Sequence, residues 1–199
     1  MDYQVITDVS VEPLTEDDVR VQLNRTADEW TYDDKALATA NITAARRVAE
    51  HYTWLALGRR TLEGVLDGFP CDGEAIRLPM PPVESVTSIK YLDGKGSLQT
   101  LSTAAYTLSP YDKRTVFLNF GYSWPVTQAQ REAVQVHFAC GFDNVESPPV
   151  GFVLPKEVRS ALLLMVAWLH EHRGDEMDPD DIQPPAAKAL LNTVKQWGF

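Results

Sequence analysis

The spacing of apolar positions changes period twice along the chain, from about 3.6 to 2 and back again, which marks out three blocks. The first, to about residue 58, is helical. Thr15 precedes Glu16, Asp17 and Asp18, a capping-box-like start with acids in the first turn, and Val19 and Leu23 follow at helical spacing. Asp33 or Asp34 then caps a longer helix. In it Leu37, Ala40, Ala44, Val48, Tyr52 and Leu55 recur at steps of three and four, with Arg46, Arg47 and Glu50 off the stripe. Small residues dominate that stripe, so another helix can approach closely, and Gly58 is placed to end the element.

The second block, 59–145, has period 2. Runs at 60–66, 75–78, 83–92, 97–101, 106–108, 115–120 and 133–138 are rich in Val, Ile, Thr and aromatics. Turn residues separate them: Asp67-Gly68, Asp72-Gly73, Asp93-Gly94, Ser109-Pro110, Gly121 and Trp124-Pro125. Val134, Val136 and Phe138 alternate with Gln135 and His137, the mark of a half-buried antiparallel strand. The third block is helical again. Pro155 suits a first turn, and 157–172 is apolar nearly all round, so that helix must be covered by its own domain or by a neighbouring subunit. Gly174 ends it, an acidic loop with Pro179, Pro184 and Pro185 follows, and 186–197 forms a last short helix. The expected fold is α+β: a helical domain built from N- and C-terminal helices, with a small antiparallel sheet or sandwich inserted. The divisions are 1–58, 59–145 and 146–199, the last packing on the N-terminal helices.

With 199 residues, 44% hydrophobic and 23% charged, the chain fits one soluble domain or two small ones. Charge changes the picture more. The formal net charge of −10 is concentrated: residues 1–34 carry −8, residues 174–183 carry −5, and the rest carries +3. That balance argues against a protein that grips phosphate backbones, and it leaves room for one that works near DNA without sticking to it. Cys71 and Cys140 are too few and too far apart for a disulfide scaffold or a metal knuckle, and read as reduced thiols of a cytoplasmic protein. No charged-then-apolar leader opens the chain, and the longest apolar run, 161–169, is far short of the ~20 residues of a membrane span.

Candidate chemistry is thin. In His170-Glu171-His172 the two imidazoles point about 200° apart on a helix, so one metal cannot take both; a polar helix end is the better account. Asp93-Gly94-Lys95-Gly96-Ser97 lacks the spacing of a phosphate loop and reads as a hairpin turn. His51 and His137 read as solvated or interfacial. The acid pairs Asp17-Asp18, Asp33-Asp34 and Asp180-Asp181 lack the alternation of a calcium loop. No catalytic, cofactor or metal residue is assigned. Five tryptophans in so small a chain make apolar interfaces a live alternative to core packing.

The order of short motifs is more telling. It runs Leu78-Pro79-Met80-Pro81-Pro82-Val83, Ser85-Val86, Ser88-Ile89-Lys90-Tyr91 with Asp93-Gly94 at the turn, Tyr106-Thr107-Leu108 and Trp124-Pro125. Then come Val136-His137-Phe138-Ala139-Cys140-Gly141-Phe142 and Leu154-Pro155-Lys156-Glu157-Val158-Arg159-Ser160-Ala161-Leu162-Leu163-Leu164. A Glu171-His172-Arg173 helix end and Ala189-Leu190-Leu191 close the series. Over roughly 36–191 this resembles the head–tail connector (adaptor, or head-completion) proteins of long-tailed phages, prophages and gene transfer agents. The chain departs from them at Phe142-Asp143, where Tyr-Gly is frequent, and in ending Gln196-Trp197-Gly198-Phe199 rather than on a basic stretch.

The resemblance implies a structural virion protein and no enzyme. It implies a homo-oligomeric ring, usually of twelve copies, under the portal protein, extending the DNA channel and offering a platform for a stopper or tail-completion protein. Double-stranded DNA passes through without specific binding, no membrane is involved, and the protein is made in the host cytoplasm and resides at the head–tail junction. On this reading the ring interface draws on Leu37, Ala44, Arg46, Arg47, Val48, Leu162, Met165, Trp168 and Leu169. Portal docking draws on Leu190, Leu191, Trp197 and Phe199, and the channel lining on Asp175, Glu176, Asp178, Asp180 and Asp181. The alternatives are a small hydrolase or metal-dependent enzyme around His170 and Glu171, and a host protein–protein adaptor.

Overall fold

A computed structural model describes residues 1–143, 152–172 and 183–195. The fold is α+β, with helices from both ends of the chain and antiparallel sheets between them. The chain divides into two compact units: Met1–Ser10 with Arg59–Gly141, and Val11–Gly58 with Phe142–Phe199.

The first unit holds the sheets. Its strands are β1 (Asp2–Thr7), β2 (Arg60–Leu66), β3 (Ile76–Arg77), β4 (Val83–Leu92), β5 (Leu98–Thr100), β6 (Tyr106–Leu108), β7 (Thr115–Leu118) and β8 (Val134–Cys140). A five-stranded sheet has the order β1-β2-β8-β4-β5 and a three-stranded one the order β3-β7-β6, and every pairing in both is antiparallel. Along β8 the residues alternate buried and half-buried, so Val134, Val136, Phe138 and Cys140 face the core while Gln135 and His137 face out. The strand β1 lies in a stretch expected to belong to the helical part. Its alternation Tyr3, Val5 against Gln4 is too short to register as a strand by itself; pairing with β2 makes it one.

The second unit holds α1 (Glu16–Gln22), α2 (Tyr32–Thr53), α3 (Lys156–Glu171) and α4 (Pro185–Asn192), with a two-residue parallel pair of β9 (Phe142–Asp143) and β10 (Phe152–Val153). Thr15 caps α1 in a capping box with Asp18. The cap of α2 is Thr31 and not either aspartate; Asp34 is the reciprocal partner three residues on. Nor does Gly58 end α2. Trp54 does, in the left-handed conformation at φ 59°, its N–H bonded to the Glu50 carbonyl at 2.8 Å. The helix α3 packs against α1, α2 and α4, which explains why it is apolar on all sides. Among the described residues no helix is long and apolar enough to cross a membrane.

The buried seam of α2 runs Ala38, Ile42, Ala45, Ala49 and Thr53, one residue round from the expected stripe; Ala40 and Ala44 are exposed. Arg46 and Glu50, expected on the wet face, are buried at 2% and 5% exposure. The Arg46 guanidinium donates twice to Glu12, from Nε at 2.7 Å and Nη2 at 3.0 Å, and from Nη1 to Glu50 at 3.0 Å. Glu50 also accepts the backbone N–H of Leu57 at 2.9 Å, and Glu12 the hydroxyl of Thr43. Removing one partner of such a network leaves a buried charge uncompensated. Arg46→Ala is therefore expected to cost about 3–5 kcal/mol. The exposed neighbour Arg47→Ala should change stability by about 0.5 kcal/mol or less. Denaturant unfolding of the two variants checks this, and equal effects would remove the assignment.

Candidate functional site

The histidines at the end of α3 are used in packing. His170 stacks on Trp30 at a centroid distance of 6.5 Å, and His172 stacks on Trp168 at 3.7 Å with its Nδ1 3.0 Å from the Trp168 carbonyl oxygen. His51 meets the edge of the Trp54 ring. Among the described residues no group of three His, Cys, Asp or Glu side chains is placed to hold a metal ion. The Asp93 loop is a hairpin turn: its carboxylate accepts the N–H groups of Lys95 and Ser97 and the amide of Gln99, which hold its pKa below the ordinary 3.8. Cys71 is exposed and Cys140 buried, both as free thiols.

One polar cluster crosses three strands of the first unit. Gln4 of β1 donates to Glu63 of β2 at 2.6 Å, and Glu63 in turn pairs with His137 of β8. Burial of Glu63 opposes its charged form. The hydrogen bonds from His137 and Gln4, with the charges of His137 and Lys90, outweigh that and hold the carboxyl below its ordinary 4.5.

Part of the exposed surface is apolar. On α2, Tyr32 at one end is 82% exposed and Trp54 at the other 41%, with exposed Ala36, Ala40 and Ala44 between. In the first unit, a tight turn after β7 presents Phe120 wholly to solvent. Asn119 clamps that turn: its amide donates to the Ala104 carbonyl at 2.9 Å, its side-chain oxygen accepts from Thr107 at 2.6 Å, and Gly121 takes φ +85°. The hydrogen bonds fix the backbone of the turn, so the position of Phe120 is set by Asn119 while its ring stands in solvent.

No protein-family model and no curated protein matches the chain. Solved structures do. A chain in the virion of a native gene transfer agent (GTA) particle matches at TM-score 0.77 and 24% identity over the whole of this chain and 97% of that one. A chain in the neck of an empty GTA particle, computed with C6 symmetry, matches at 0.76 and 25%, and one in the neck of a native particle, computed with C12 symmetry, at 0.67 and 23%, with the same coverage. The fold is that of a GTA particle component.

The residues expected at a ring interface divide accordingly. Leu162 and Met165 lie in the core of the second unit, and Arg46 is enclosed by Glu12 and Glu50, so none of the three is available to a neighbour. Their apolarity and charge are satisfied inside the protomer. Leu37, Val48 and Leu169 are half-buried, Ala44 and Arg47 exposed. Trp168 is half-buried, and its indole N–H is enclosed with no acceptor among the described residues. Of the portal-docking set, Leu191 is core and Leu190 half-buried; Trp197 and Phe199 lie outside the described residues. So do Asp175, Glu176, Asp178, Asp180 and Asp181. Sequence reasoning missed Tyr32 and Phe120 as surface aromatics, because an aromatic residue reads first as core, and gave Trp54 only as one of five tryptophans open to either role.

The Glu63 cluster yields a pH test. A carboxyl whose folded pKa is lowered adds stability in full above its unfolded value of 4.5, and loses it as pH falls through the folded value. Glu63→Gln should therefore be less stable than wild type above pH 4.5, by a margin that shrinks on acidification below that value. Denaturant unfolding across a pH series reads the margin; one that persists unchanged into acid would show that the charge of Glu63 is not its source.

Proposed function

We propose that this chain is a structural component of the neck of a phage-like particle: a head–tail connector that forms a ring under the portal. The observation that carries this is the whole-chain likeness, at TM-score 0.76, to a chain of a gene transfer agent neck. The order of motifs from Leu78 to Leu191 supports it from the sequence side. In a ring each copy meets its neighbours through two different patches. On the second unit the exposed face of α2 supplies one, through Leu37, Ala44, Arg47 and Val48 flanked by Tyr32 and Trp54, with Trp168 and Leu169 of α3 as further contacts. Portal docking falls to Leu190 and the chain end at Trp197 and Phe199. The channel-lining role falls to the acids at 175–181, whose like charge would keep the duplex sliding rather than bound.

Trp54 favours an assembly role for α2. A left-handed residue at a helix end is ordinarily Gly, and a Trp there costs about 1–2 kcal/mol of backbone strain while leaving much of its ring in water. Such strain is retained where the side chain does something else.

Two measurements test the reading. Immunogold labelling and mass spectrometry of purified particles should place the chain at the neck in a ring-like copy number; labelling elsewhere, or particles without it, overturns the proposal. Trp54→Gly should fold with a thermal midpoint equal to or above that of wild type and lose incorporation into particles. Full incorporation would remove Trp54 from the contact.

A further inference from the structure

Among the described residues, the five-stranded sheet of the first unit ends in two unpaired edges, β1 on one side and β5 on the other. An open edge presents unpaired N–H and C=O groups, and soluble proteins blunt it with a very short strand, charged side chains, Pro, a bulge or a covering segment; β5 is three residues long and β1 carries Asp2. Here every residue of both edge strands is exposed, and neither Asp-Tyr-Gln-Val-Ile-Thr nor Leu-Gln-Thr contains Lys or Pro. A register shift between Val5 and Thr7 is the irregularity on the β1 side. Tyr3 and Val5 pair with Gly64 and Leu62, so they extend the buried face of the sheet one strand past its cover. On the other edge Leu98 is exposed.

We propose that these edges meet between neighbouring copies of the chain, β5 of one against β1 of the next, so that the sheets run on around the ring. This rests on the ring reading above and assigns it a second contact, independent of α2. Strand polarity supports it. All four ladders of the sheet are antiparallel, so its first and fifth strands run the same way. Rotation about a ring axis preserves strand direction and sheet face. Copies set side by side therefore bring β5 and β1 together as a parallel pair with their N-terminal ends adjacent. Charge agrees with that polarity. The exposed Asp2 then falls beside the β4–β5 turn, where Asp93 is engaged by its own turn and Lys95 is the exposed charge. The two edges differ, as a heterologous contact requires, and closing the ring leaves no edge of the five-stranded sheet unpaired.

The test uses full-length protein in assembled particles, in a Cys71→Ser background. Val5→Cys and Gln99→Cys are introduced singly and together, both at exposed positions on the same face of the sheet, and treated with a short bismaleimide reaching diagonal cross-strand neighbours about 7–8 Å apart. Circular dichroism and the thermal midpoint confirm folding; if Gln99→Cys is impaired, the pair Gln4→Cys and Thr100→Cys, both exposed on the opposite face of the sheet, replaces it. The double variant should give a ladder of dimers, trimers and higher species, and neither single variant should cross-link. Dimers from Val5→Cys alone would mean a two-fold pairing of β1 strands and overturn the proposal. A ladder from a lysine-reactive reagent without one from the double variant would overturn it too, while leaving the ring reading standing. Particles that lack the chain, or no ladder with either reagent, would sink both.

Discussion

The helical unit is organised around one buried guanidinium. Arg46 sits in the middle of α2 and binds Glu12 and Glu50 together, and Glu50 passes the connection to the backbone of Leu57. Those contacts matter because of where they fall in the chain. The backbone passes between the two units near residues 10 and 58, and the Arg46 network fixes the segment just after the first passage and the segment just before the second. A buried ion cluster is a weak source of net stability compared with apolar packing of the same volume. Its strength is directional: bidentate Arg–carboxylate geometry accepts one arrangement of its partners. The apolar seam of Ala38, Ile42, Ala45 and Ala49 would tolerate small rotations of α2. The network does not.

That same network explains where the sequence was legible and where it was not. The strands of the β block emerged from alternation and turn residues, and three runs, 60–66, 83–92 and 106–108, coincide with observed strands end to end. Side chains there are large, branched and differ sharply between faces. The helix α2 is the opposite case. Alanine occupies both its faces, so the apolar period carries little phase information, and the weight shifts to the charged residues. Arg46 and Glu50 then look solvated by type, and the stripe is placed one residue off. Partners that bury a charge are 34 residues away in the case of Glu12, and no local pattern reveals them.

The division between core and surface in the second unit bears on its function. The all-round apolarity of α3 left its cover open between its own domain and a neighbouring subunit, and three helices of the same unit supply it. What remains outward is a different set: alanines and terminal aromatics on α2, placed where local rules favour other residues. Tyr32 and Trp54 are costly as surface residues of a monomer and sensible as anchors in an assembly, since aromatics dominate interface energetics through large area and few rotatable bonds. The likeness to neck proteins and the misplacement of these aromatics thus point the same way from independent grounds.

The acidity of the N-terminal segment has a structural account before any functional one. Its carboxylates are largely engaged inside their own unit. Asp18 and Asp34 close capping boxes, Glu29 accepts from Thr26, Asp17 pairs with Arg20, and Asp18 also receives Arg159 at 2.6 Å. Acids in the first turns of α1 and α2 gain about 0.3–1 kcal/mol each from the helix dipole. Glu12 neutralises a buried arginine. A segment read as −8 along the chain therefore presents a weaker field than its composition implies, because several of its charges are offset within a few ångströms.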